Sequence, residues 1–119
     1  MENIKKTKYG YEYDYKGLNV VITTDEINDE LIHYGNKVVD YYFENKDKVI
    51  EFLFQKFERD NWYIDKYTKE EIIEKIGEPT IHVDDVNFGN IVYLDSMLDE
   101  HIITVELYKL DLSHVCIDG

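Results

Sequence analysis

Four histidines, one cysteine and a surplus of carboxylates are the residues of this chain equipped for chemistry. His82 stands beside Asp84 and Asp85, and His114 lies four residues before Asp118. His101 and His114 fall in successive strand-like segments, where they could face one another across adjacent strands. A metal centre needs three or four such ligands converging in space. The chain carries no HxH, HExxH or CxxC, and a single cysteine excludes an internal disulfide and a multi-cysteine zinc site. Half-buried strand positions are the commoner place for such histidines, so no metal and no cofactor is expected. A His/Asp metal-dependent enzyme built on His101 and His114 stands as an alternative.

The other chemistries are weaker still. Asp84-Asp85, Asp99-Glu100 and Glu70-Glu71 are paired carboxylates, but acid/base work needs two carboxyls held across a cleft with their pKa values pushed apart. Adjacent acids in turns are solvated. Cys116 and His114 share a strand face at i, i+2, with no third group to orient the histidine as a base. No glycine-rich nucleotide loop is present. The expectation is a protein without a catalytic site.

Charge is the loudest bulk feature. Thirteen Lys and Arg stand against 26 Asp and Glu, for a net −13. Residues 1–60 hold 9 basic and 13 acidic side chains, whereas residues 61–119 hold 4 and 13. Such a field repels nucleic acid and anionic membrane and attracts basic partners. Simple solubility is the plain alternative. The N-terminal MENIKKTKYGYEYDY lacks the apolar core of a signal peptide, and no run approaches the roughly 18 apolar residues of a membrane span. A cytoplasmic protein is expected.

The length suits one domain over residues 1–119, and 44% hydrophobic residues suffice for a real core. Around Asp47–Trp62, Val49, Ile50, Leu53, Phe54 and Phe57 recur at helical spacing and form a wide apolar stripe that something must cover. Residues 9–24 read as a β-hairpin: Tyr9, Tyr11, Tyr13 and Tyr15 alternate with Gly10, Glu12 and Asp14, and LNVVITT follows a Lys16-Gly17 turn. Thr24 or Asp25 can cap a helix carrying Ile27, Leu31 and Tyr34, with a break at Gly35-Asn36. Val38, Val39, Tyr42 and Phe43 resume the pattern, and the polar Asn45-Lys46-Asp47 leaves open whether one helix or two follows. Thr68 and Glu71 form a capping-box signature before Ile72, Ile73 and Ile76, which are expected to face inward, and Gly77 stops that helix. The segments 80–86, 89–94, 101–110 and 113–118 read as a strand meander, with turns at 87–90, 95–99 and Asp111-Leu112. The whole predicts an α+β fold, an antiparallel sheet with two or three central helices on one face.

Eleven tyrosines in 119 residues allow two roles. Tyr11 and Tyr13 can anchor a partner, or the tyrosine face can be sheet core under the long helix.

Over residues 25–119 the pattern TKEEIIEKIGEPTIHVDD, GNIVYLDSMLDE, HIITVELYKL and SHVCIDG resembles a family of small bacterial α+β domains of unknown function. The match rests on the T-x-E-E-hydrophobic helix, the His101-Ile102-Ile103 strand and the closing Asp118-Gly119, with Glu100 standing where that family tends to have glycine. Acidic families of similar size and layout include immunity proteins of bacterial toxin systems. That resemblance implies a non-enzymatic inhibitor that occludes a basic protein partner, such as a toxin nuclease. Nucleic-acid mimicry by a phage-encoded inhibitor of a host nuclease is the nearest alternative. The candidate contact residues are Asp84, Asp85, Asp95, Asp99 and Glu100 in the meander turns, with Tyr11 and Tyr13 as anchors. Neither direct nucleic-acid binding nor a membrane is expected.

Overall fold

A computed structural model describes residues 3–119. Short β1 (Lys5–Thr7) precedes the tyrosine strand β2 (Gly10–Tyr15), which turns through Lys16 and Gly17, both at positive φ, into β3 (Leu18–Ile22). Positive φ at both central residues matches the twist of flanking strands, so a two-residue turn suffices. Three helices follow, α1 (Asp29–Glu44), α2 (Lys46–Asp60) and α3 (Lys69–Ile76), and then four strands, β4 (Thr80–Asp85), β5 (Phe88–Tyr93), β6 (Ile102–Tyr108) and β7 (Asp111–Asp118). The fold is α+β, and the strands form one mixed sheet in the order β1 to β7.

The hairpin and the meander meet in a way the sequence pattern does not suggest. β3 pairs with β4 in parallel, whereas every other neighbouring pair is antiparallel. Three intervening helices return the chain to the end of the sheet where β3 began, and a parallel pair needs such a crossover. The purely antiparallel expectation is corrected accordingly.

Local boundaries follow from capping and packing. Asn28, not Thr24 or Asp25, caps α1, its side chain accepting from the N–H of Leu31 at 2.9 Å. Gly35 does not break α1, which runs through it. A Cβ there would lie 2.6 Å from the Tyr13 hydroxyl oxygen and 3.1 Å from Val20 Cγ1, so glycine lets the helix lie directly on β2 and β3. Asn45 leaves helical geometry and separates α1 from α2, making two helices. Val49, Leu53, Phe54 and Phe57 of α2 are buried as the stripe predicts. The capping box at Thr68 and Glu71 is present, and Gly77 ends α3 at positive φ. Ile73 points outward and is 41% exposed, because the eight-residue α3 covers the core only with Ile72 and Ile76. The last turn falls at Lys109-Leu110, both at positive φ, so Asp111-Leu112 already belongs to β7.

All three helices sit on one side of the sheet. The side chains facing them form continuous apolar rows, such as Tyr13–Val20–Ile81–Ile91–Val105–Val115, in which each residue is the cross-strand partner of the next. None of the six is more than 4% exposed. Among the described residues, no helix is long and apolar enough to cross a membrane.

Candidate functional site

Successive side chains of a strand point to opposite faces. Whatever alternates with the apolar rows therefore lies on the face that no helix covers. One row crosses all seven strands there: Lys5, Glu12, Val21, His82, Asn90, Glu106 and His114, each paired with the next. A second runs Thr80, Val92, Thr104, Cys116. Two shallow depressions mark this face. One is lined by residues that include Lys5, Thr7, Glu12, Asp14 and Asn19, the other by residues that include His82, Asp84, Val92, Glu106, Cys116 and Asp118.

The acids lining these two depressions are Glu12, Asp14, Asp84, Glu106 and Asp118, against one lysine, Lys5, among the described residues. Of the helices, α2 is balanced, with four acidic and four basic side chains, whereas α1 carries four acids to one lysine and α3 three acids to two lysines. Asp84 is held in place, accepting from Thr23 Oγ1 at 2.8 Å and from Asn90 Nδ2 at 3.0 Å. His82 adds no positive charge at neutral pH, since burial pushes its imidazole below the usual 6.5 against the opposing pull of Asp84 and Glu12. Val21 and Val92 are only 6% and 5% exposed, whereas Leu94 and Ile102 are open at 43% and 38%. The face is thus acidic with a partly accessible apolar component.

At its β6–β7 side three side chains converge. Glu106 and His114 are direct cross-strand partners, and Cys116 follows His114 by two residues on the same face. Cys116 Sγ donates to Glu106 Oε2 at 3.0 Å. The carboxylate beside it, reinforced by burial, pushes the thiol up to about 11. A thiol so held is a poor nucleophile at neutral pH, which argues against a Cys116–His114 catalytic pair.

Several sequence-predicted residues are not where a shared site needs them. His101 and His114 do not face one another, because β6–β7 register pairs His114 with Glu106, five residues beyond His101. At about 3.3 Å per residue that is roughly 16 Å along the strand. His101 instead joins Trp62 and Tyr63, its Nδ1 2.6 Å from the Tyr63 hydroxyl, and fastens the exit of α2 to the β5–β6 loop. Tyr13 offers no contact surface: it is 2% exposed, and its hydroxyl lies 3.0 Å from the Ile32 carbonyl and 2.9 Å from Asn36 Oδ1. Tyr11 shares the helix-side orientation and is half-buried, with its hydroxyl 3.3 Å from the Asp25 carbonyl. The turn acids split between two ends of the sheet. Asp84 and Asp85 close β4, whereas Asp95, Asp99 and Glu100 lie beyond the far end of six-residue β5, roughly 20 Å away. Asp99 is already engaged by Lys66 at 3.1 Å, which holds its carboxyl below the usual range.

Of the five turn acids among the proposed contacts only Asp84 lines a depression of the uncovered face; Asp85, paired with Phe88 across a bulge, stands beside it at the end of β4. Glu12, Asp14, Glu106 and Asp118 are legible as the polar positions of alternating strands, but alternation alone does not bring them onto one face. Comparison of the chain with protein-family models, curated proteins and solved structures finds no match.

Proposed function

We propose that this is a small non-enzymatic binding protein that neutralises a basic protein partner by occlusion, using the uncovered face of its sheet. The supporting observation is the lining of the two depressions on that face, five carboxylates to one lysine around a partly open apolar patch. Acidic groups steer a basic partner and accelerate its arrival, and accessible apolar area such as Leu94 and Ile102 supplies holding energy. A rigid seven-stranded platform needs little ordering on binding, which favours affinity. An immunity-type protein masking the basic active site of a toxin nuclease in the cytoplasm is the version closest to the resemblance noted from the sequence. The contact set moves from the meander turns to Glu12, Asp14, Asp84, Glu106 and Asp118.

The test compares two five-site variants as baits in lysate of the native host, at about 50 and about 500 mM salt. One neutralises Glu12, Asp14, Asp84, Glu106 and Asp118 to the corresponding amides. The control neutralises Glu44, Glu51, Glu58, Glu70 and Glu74, exposed on the helices. A basic protein captured at low salt by the native chain and the control, and lost by the face variant, is the expected result. Equal capture by both variants, or none by the native chain, overturns the reading.

A further inference from the structure

The convergence of Glu106, His114 and Cys116 has a chemistry of its own, independent of any protein partner. A carboxylate oxygen, an imidazole nitrogen and the thiol sulfur all lie within 4.8 Å of one another. Donors bound to one zinc ion at about 2.0–2.3 Å stand about 3.5 Å apart in a tetrahedron. The widest separation thus exceeds that spacing by little more than about 1 Å. The backbone is already set, since Glu106 and His114 are opposite one another on paired strands and Cys116 is the next same-face residue of β7. We infer that Glu106, His114 and Cys116 form a binding site for a divalent transition metal, zinc(II) foremost, with the fourth coordination position open to solvent.

The donor set selects the metal. Thiolate and imidazole favour zinc and its late first-row neighbours over magnesium and calcium, which require oxygen ligands. The charges also balance: one thiolate and one carboxylate neutralise a dication, with histidine bound as the neutral imidazole. On binding, the S–H bond breaks, its electron pair becomes the metal–sulfur bond, and the proton leaves to solvent. Glu106 already accepts the thiol hydrogen at 3.0 Å and provides the first relay for that proton. Asp118 places further negative charge near the sulfur. On the α2 side, Lys56 and Arg59 line a depression with His114, and both are paired with Asp60, at 2.6 and 3.4 Å. A three-ligand set leaves one position for water, as in open rather than purely structural zinc sites.

Metal-stripped full-length protein, titrated with cobalt(II) as a spectroscopic stand-in and with zinc(II) against a chromophoric chelator, tests the assignment. One equivalent should bind, and cobalt should show a thiolate-to-metal charge-transfer band. Cys116→Ser should abolish that band. Glu106→Gln and His114→Gln should each weaken zinc at least about tenfold, given that even partners outside the ligand set matter by that factor. His33→Gln, on exposed α1 surface, should change nothing. Circular dichroism checks that the variants fold; all three ligands are at least partly exposed. Absence of the band in the native chain, or stoichiometric zinc binding that survives all three ligand substitutions, overturns the inference.

Discussion

The two faces of one sheet are built from the same strands and do opposite work. Toward the helices, Tyr13–Val20–Ile81–Ile91–Val105–Val115 runs apolar and closed from β2 to β7. One residue along, Glu12–Val21–His82–Asn90–Glu106–His114 is mostly polar and reaches water. Stability resides in the first row, because burial of apolar area is what holds a domain of this size together. The second row is free to carry charge and ligands because little of the fold depends on it. A one-residue slip of register would exchange the two sets, so the turns that hold register also decide which residues are available for function.

Placing one substitution at neighbouring positions tests this division most sharply. Ile91→Thr introduces a cavity and a buried hydroxyl into the helix-facing row and should cost about 3 kcal/mol or more in urea unfolding. A loss under about 1 kcal/mol would mean that the helices do not seal that face. Smaller, and confined to the open face, is the effect of Glu106→Gln on the reactivity of Cys116 in metal-free protein. Removing the carboxylate that raises the thiol should speed labelling by a thiol reagent at about pH 8 by tenfold or more. An unchanged rate would show that Glu106 does not hold the sulfur.

Tyr13→Phe removes the hydroxyl that reaches Ile32 and Asn36 and should cost about 1 kcal/mol. Its partner capture should stay intact, since Tyr13 faces the core; lost capture with retained stability would restore it as a contact residue. Smallest of the set, Val92→Thr should cost less than about 1 kcal/mol: the site is only 5% exposed, but the swap opens no cavity, and Thr80 and Thr104 on either side can pair with the new hydroxyl. A cost equal to that of Ile91→Thr would erase the distinction between the faces.

Much of the local architecture was legible in the residues. Period-2 alternation in GYEYDY marked a strand, the Val49–Phe57 stripe marked a helix, and Thr68 with Glu71 marked a helix start. These signals are local, set by neighbours within one turn or one pleat. Gly35 misled because helix propensity penalises glycine, whereas its lack of a side chain answers a contact with Tyr13 and Val20, fifteen or more residues away in the chain. The candidate site was less legible. Turn acids stand out in a linear reading, yet Asp84 and Asp99 end at opposite ends of the sheet, and Glu106 gains His114 and Cys116 only through the β6–β7 register.

The sequence by itself determined the strands and helices, the acidic balance and the division of each strand into an apolar and a polar edge. Only the tertiary structure decided that β3 and β4 run parallel, that all three helices cover the same face, and that Glu12, Asp14, Asp84, Glu106 and Asp118, from four strands, share the other. The physical reason is range. Propensity, capping and alternation act between near neighbours, whereas strand pairing and helix docking bring together residues as distant as Val21 and His82, and nothing in either local segment specifies its partner.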